Sequence, residues 1–414
     1  MLWLVSERVA SLVGRPRVDA ARWAELLREV GGGFGDVGLL APLAIALITL
    51  NHLNATAVLA GAGLFYLATA LVYRLPVPVQ PLKAVSAIAI ASRLGPPGIA
   101  AAGLEIGVIF TLLSLTGLAD RLRSVFVAPV VRGIQLGIGL LLAKAAVDLI
   151  FRGHQLHLAP TQLDQMGLGP AVLIGFGVTL ALFVFSLRSV PGASLLLLAG
   201  GLVLGVLVGI HATPSGGLGP QPLTLSLPTL ATFLSAFWVL TVPQVGLSVG
   251  NSLMATNAAA RTYFGDRGAR VTPGRLGLSM GLANLVVAPF SGMPMCHGAG
   301  GLTAHYKMGA RTGLGIAVYG GFLLTLGLVF GASAAGLLSL IPVAVLGGFL
   351  LYVGFEHAAL VADLKTQPDF LVAGAVAAVS VGTGNISAGV VVGLLMYMLL
   401  RRFAPPAPTT QGAT

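Results

Sequence analysis

The chain has 414 residues, of which 56% are A, V, I, L, M, F, W, Y or C and only 9% are charged, and its mean hydropathy is +0.94. Soluble domains carry about 25% charged residues, so most helices here have no polar face for water and their solvent is lipid. A large soluble domain does not fit beside the apolar runs, and these runs are continuous where barrel strands would alternate. The formal charge of +10 is scattered between them as topology signals, not gathered into a nucleic-acid-binding stripe.

Residues 1–30 lack a cleavable signal. From Arg15 to Val30, Arg and Glu alternate with Trp23, Leu26 and Leu27, the pattern of an amphipathic helix on the cytoplasmic membrane surface, with a disordered tail as the alternative. Fourteen apolar segments follow, starting near Gly35, Ala55, Pro81, Pro97, Val125, Pro170, Ala193, Thr232, Arg275, Met295, Thr312, Ala334, Asp369 and Ile386. The expected fold is therefore an all-α polytopic membrane protein. With the N-terminus cytoplasmic, every Lys and Arg except Lys83, Arg93, Arg132, Lys144 and Arg152 falls in an inside segment, as the positive-inside rule asks. Both termini are then cytoplasmic, most naturally at a plasma (inner) membrane.

The two halves of the chain resemble each other. DVGL (Asp36 to Leu39) matches QVGL (Gln244 to Leu247), VPVQP (Val77 to Pro81) matches MPMCH (Met293 to His297), and APVVRGIQLG (Ala128 to Gly137) matches IPVAVLGGFL (Ile341 to Leu350). The matches come in the same order, each roughly 210 residues apart. Seven spans separate the copies, so the second is inverted relative to the first, the signature of secondary transporters. The expected organisation is a repeat over 31–211, an extracytoplasmic linker over 212–230, a second repeat over 231–402 and a disordered tail over 403–414.

Each repeat contains a break. Pro76, Pro78 and Pro81 forbid a continuous helix, and Pro81 suits a first helical position. In the second copy Pro294 breaks the chain, and Gly298, Gly300 and Gly301 allow close approach. Two half-helices, in spans 3 and 10, would then aim their N-termini at one point near the midplane. Each terminus carries about +0.5 charge, so two of them with Lys83 offer roughly +2, a match for a dianion. The alternative for Lys83 is a structural ion pair with Asp36 or Glu105.

Gln80, Cys296 and His297 end the breaks, and Gln244, Ser248 and Asn251 fall at steps of four and three residues on one helix face. Such donors suit a neutral cage around a tetrahedral oxyanion, although interhelical bonding accounts equally for Ser248 and Asn251, and helix capping for His297. Cys296, the single cysteine, rules out an internal disulfide and reads as a packing residue, as do Met293 and Met295. Asp36 and Glu105 are the candidates for proton coupling, with pairing to Lys83 or Arg132 as their structural alternative. Asp148 and Glu356 sit near span ends. His154 and His157, with Asp148 and Asp164, have a metal-compatible spacing that chance explains in a polar loop. No metal or cofactor is expected.

PVPVQPLKAVSAIAI (Pro76 to Ile90) and SGMPMCHGAGGLTAHYKMGARTG (Ser291 to Gly313) resemble the signature segments of the molybdate transporter family, a branch of the sulfate permease superfamily, and GDVG (Gly35 to Gly38) and the Gln244 to Asn251 segment are similar too. The resemblance runs from about Gly33 to Arg402. It implies a seven-plus-seven inverted repeat shared with uracil permeases and anion exchangers, with spans 1 to 4 and 8 to 11 as a substrate-carrying core and the rest as a gate. It also implies molybdate uptake, with substrate between spans 3 and 10, and transfers to Gln80, Lys83, Cys296, His297 and Gly298. The STAS domain of typical sulfate permeases is not expected after Arg402, which fits the molybdate branch. Sulfate and tungstate remain open as substrates, then a nucleobase or aromatic carboxylate. A channel or a membrane enzyme is a more distant class. The expected partners are molybdate or a similar oxyanion, the bilayer and a proton co-substrate; dimers are common among similar proteins.

Overall fold

The structure, a computed structural model, describes residues 20–118, 127–152, 168–188, 190, 193–210, 217–225 and 227–403. The His154 and His157 pair, residues 1–19 and the tail beyond Phe403 lie outside them. Helix α1 (Ala20–Gly33) runs through a turn into α2 (Val37–Thr49), followed by α3 (Ala55–Tyr73), strand β1 (Gln80–Pro81), α4 (Lys83–Ser92), α5 (Pro96–Thr116), α6 (Ala128–Arg152), α7 (Leu168–Leu187) and α8 (Ala193–Leu207). The second half holds a long helix α9 (Leu230–Arg270), then α10 (Pro273–Val287), β2 (Met295–Cys296), α11 (Ala299–Lys307), α12 (Leu314–Leu338), α13 (Val343–Ala359), α14 (Gln367–Thr383) and α15 (Ile386–Phe403). Among the described residues, 8 helices are long and apolar enough to cross a membrane, and α4 and α8 are shorter apolar helices.

The ends follow local chemistry. Asn54 caps α3, its Oδ1 accepting from the Ala57 N–H at 2.9 Å. Pro96 and Pro97 open α5, and Gly117, at φ +68°, closes it.

Two segments differ from the sequence reading. The first apolar stretch begins before Gly35: α1 and α2 form one candidate span, Arg22–Thr49, interrupted at Phe34–Asp36. Trp23 and Leu27 of α1 are exposed. Its last turn, however, is held against the α11–α12 loop, where the buried Glu29 carboxylate accepts from the backbone N–H groups of Arg311 (2.8 Å) and Thr312 (2.9 Å). The segment expected to start near Ala334 begins instead at Val343. The Gly- and Ala-rich run around Ala334 continues α12, and the true breaker is Pro342.

Helix packing is crosswise between the halves. α3 packs on α12 and α10 on α5, while α13 lies across α6, which also carries α14. Without a hydrophobic drive in lipid, such contacts depend on small residues that let backbones approach. A Cβ on Gly63 of α3 would meet the Gly320 carbonyl oxygen of α12 at 2.5 Å, one on Gly281 of α10 would meet the Thr111 amide of α5 at 2.7 Å, and one on Gly139 of α6 would meet the Gly354 carbonyl oxygen of α13 at 2.6 Å. Gly320→Ala should therefore lower the melting temperature of the purified protein, at a cost of about 1–3 kcal/mol, because its Cβ would sit 2.8 Å from the Gly63 carbonyl oxygen. Gly321→Ala, with nothing within 4 Å, should leave the melt unchanged.

Candidate functional site

The two breaks meet. β1 and β2 form a two-residue antiparallel ladder in which Gln80 lies opposite Cys296 and Pro81 opposite Met295, extended by the Leu82 N–H donating to the Pro294 carbonyl at 2.9 Å. Pro81, expected to open a helix, is thus a strand residue, and α4 starts at Lys83 after Leu82. The ladder supplies partners to backbone that hydrocarbon would leave unpaired. Asn284 of α10 completes it like a third strand: its Oδ1 accepts from the Met295 N–H and its Nδ2 donates to the Met295 carbonyl, both at 2.7 Å.

His297 is fully buried beneath the crossing. Its Nδ1 donates to the Pro78 carbonyl at 2.9 Å, since a carbonyl only accepts, and Nε2 lies 2.8 Å from Ser279 Oγ, itself 2.8 Å from the Tyr73 hydroxyl. A neutral ring satisfies this chain, with Tyr73 donating to Ser279 and Ser279 to Nε2. Cys296 Sγ donates weakly to the Pro81 carbonyl at 3.6 Å.

Beside the crossing lies a cavity of about 820 Å³ whose wall includes Asp36, Gln80, Lys83, Asn251 and the first residues of α11, Ala299 to Gly301. Gln80 Nε2 donates to Asp36 Oδ2 at 2.7 Å. This pair packs directly on α11: a Cβ at Gly301 would lie 2.4 Å from Gln80 Nε2 and 2.6 Å from Asp36 Oδ2, and one at Gly298 would lie 2.1 Å from Gln80 Oε1 and 3.2 Å from Asn251 Nδ2. Lys83 is 8% exposed and opens α4 on the same wall. Among the described residues its ammonium has no ion pair within 4 Å, because the only such pair joins Arg132 to Asp363. The expected alternative pairings of Lys83 or Arg132 with Asp36 or Glu105 are therefore not found there.

The structure gathers Asp36, Gln80, Lys83 and Asn251 around the cavity and sets Gln244, Ser248, Cys296, His297 and Gly298 behind its wall. Gln244 Oε1 accepts from the Ala84 and Val85 amides at 2.8 and 3.3 Å, capping α4, and its Nε2 donates to Ser248 Oγ at 2.9 Å. Asn251 lines the cavity, whereas Gln244 and Ser248 do not, and Ser248–Ala255 is π-helical. The wider π turn breaks the three-and-four spacing on which a single face depended. Glu105 is away from the cavity, accepting from Thr241 Oγ1 at 2.5 Å. Sequence reasoning missed Asn284, Ser279, Tyr73 and His357; the last lines the cavity opposite the breaks. No group of three metal-ligating side chains occurs among the described residues.

This fold occurs in the transmembrane domain of the cyanobacterial bicarbonate transporter BicA, with a TM-score of 0.62 at 18% identity over 90% of this chain and 97% of that one. It occurs also in SLC26A9, with a TM-score of 0.64 at 16% identity over 91% of this chain and 65% of that one. The class is thus a helical membrane protein with the fold of the SulP/SLC26 proteins. The family model described as "Molybdate transporter of MFS superfamily" matches residues 28–142 and 236–356. Molybdate transporters 1 and 2 of Arabidopsis thaliana are 33% and 31% identical, over 90% and 91% of this chain and 88% of each of theirs. Molybdate transporter 1 of Chlamydomonas reinhardtii is 28% identical over 90% of this chain and 91% of its own. The chain belongs to the molybdate transporter family.

Asn284→Leu keeps the shape and removes the bonds to Met295. Two buried backbone groups then lose partners at about 1–3 kcal/mol each, so the melting temperature in detergent should fall by more than it does for Gly320→Ala.

Proposed function

We propose that the protein is a secondary active transporter of molybdate that binds the anion between the N-termini of α4 and α11 and works by alternating access. The observation that carries this reading is Lys83, an ammonium without an ion-pair partner among the described residues, at the start of one broken helix and on the same cavity wall as the start of the other. The two helix ends and the lysine together offer roughly two positive charges, the complement of a tetrahedral dianion. Gln80, Asn251 and the α11 amides line the space as donors, while Gln244, Ser248, Cys296, His297 and Gly298 act by holding the two breaks in place. Asp36 is the acid at the cavity suited to carry a coupled proton; Glu105 is the second candidate, reached only through α9. The names of the relatives favour molybdate over sulfate and tungstate.

The crosswise glycine contacts and the ladder between matching segments support a fourteen-span, seven-plus-seven inverted repeat, with α2–α5 and α9–α12 as the core and α6–α8 and α13–α15 as the gate. The cavity wall draws on both groups, as a site opened by core-against-gate movement requires. With basic loops cytoplasmic, Lys307, Arg132 and Glu356 mark an inward-facing mouth, in a plasma (inner) membrane with cytoplasmic termini.

Lys83→Ala should reduce molybdate uptake into proteoliposomes by roughly tenfold or more, the worth of a charged hydrogen bond, while its folded yield on size exclusion stays near that of the wild type. Unchanged uptake would refute the role.

A further inference from the structure

The cavity wall holds a basic side chain that the proposed site does not use. His357 stands in the last turn of α13, across from the breaks, and shares the cavity with Lys83 and Asp36. Its Nδ1 lies 2.9 Å from the Val353 carbonyl oxygen. That oxygen only accepts, so Nδ1 carries the hydrogen and Nε2 of the neutral ring is bare. Nε2 has no hydrogen-bond partner among the described residues, and the ring is within electrostatic reach of the Lys83 ammonium.

Charge arithmetic gives this ring a task. Two helix ends and Lys83 approach two positive charges, but an ionised Asp36 beside them takes one back, leaving the site one unit short of a dianion. Protonation of His357 restores the unit and turns Nε2 from a bare acceptor into a donor on a residue that lines the cavity. In the empty site the facing ammonium opposes a second positive charge. A bound dianion removes that opposition, so anion and proton favour each other reciprocally.

The other charged and titratable groups around this space are identifiable. Lys83 comes from α4, Asp36 from the turn before α2 and Lys307 from α11; Glu356 and Tyr352 share the helix of His357. Arg132 of α6 is engaged by Asp363, which follows α13. Among the described residues, α7 and α8 contribute the hydroxyls of Ser186 and Ser194 and apolar groups.

We infer that His357 is a proton-dependent ligand of the anion: its Nε2 takes up one proton from water as a tetrahedral dianion enters, donates that N–H to an oxyanion oxygen, and releases the proton when the anion leaves. The inference rests on the anion site proposed above. It places a substrate contact on the gate side, so that closure of gate on core would complete the site.

The test is calorimetric titration of the purified full chain with sodium molybdate, in buffers of different ionisation enthalpy, at several pH values between about 6 and 8. The slope of binding enthalpy against buffer enthalpy counts protons taken up per anion. The wild type should take up protons and bind more weakly as pH rises. His357→Gln should lower the count by about one, flatten the pH dependence, and bind roughly tenfold more weakly at the acid end, where a charge-assisted bond is lost. His357→Asn serves if the glutamine variant does not fold. Wild-type binding that is independent of pH and takes up no proton overturns the inference while leaving the anion site standing. A variant that keeps the full wild-type proton count overturns it too and moves the proton to Asp36. Absence of molybdate binding by the wild type overturns the anion site itself.

Discussion

Hydrocarbon cannot pair a free amide or carbonyl, and this helical membrane protein breaks two of its apolar segments at prolines. Everything at the candidate site follows from how those backbone groups are satisfied. The solution is reciprocal: each break is the other's strand partner, through Gln80 opposite Cys296 and Pro81 opposite Met295. Two residues of ladder would be negligible in water. Here the alternative is an unpaired polar group costing several kcal/mol, so two residues with the Asn284 side chain against Met295 fix the crossing. Proline is what makes the arrangement necessary, since Pro78, Pro81 and Pro294 have no N–H to give to a helix.

Fixing the crossing also fixes what faces the cavity. Gln80 takes part in the ladder through its backbone, and its side chain turns to Asp36 and the start of α11. Gly298 and Gly301 are glycine for this contact, as a methyl at either would enter the Gln80 amide. The buried chain from Tyr73 through Ser279 to His297 and the Pro78 carbonyl ties α3, α10 and both breaks together. A histidine with both ring nitrogens so engaged is a strut, and its neighbours on the cavity side inherit their positions from it.

The breaks were legible in the sequence because their cause is local: prolines and glycines within a few residues announce extended chain whatever surrounds them. The same holds for most helix starts, and Asp36, Gln80 and Lys83, singled out beside the breaks, do line one cavity wall. What the sequence hid depends on distant partners. Asn284 in an apolar helix looks like any interhelical amide until Met295 is seen beside it. The π-helical turn at Ser248–Ala255 has no signature in its residues, so regular three-and-four spacing does not by itself place Asn251 relative to Gln244 and Ser248. His357 has no signal in its own segment, because what places it on the cavity wall with Lys83 is the packing of both halves of the chain.

The proposed anion site would have to attract without trapping, and the occupancy of the α4 amides bears on this. A free helix end would present several N–H groups together with its dipole. In this protein the Ala84 and Val85 amides are already committed to Gln244, so α4 contributes field and the Lys83 charge but few direct donors. The α11 end, with glycines at 298, 300 and 301, is then the side that would approach the proposed anion closely. On the proposed anion site, such a division would keep the long-range attraction for a dianion and withhold part of the hydrogen-bond cage that would hold it there. On the proposed core-against-gate movement, release would then need only a modest loss, supplied by α6 and α13, which line the cavity without sharing the ladder.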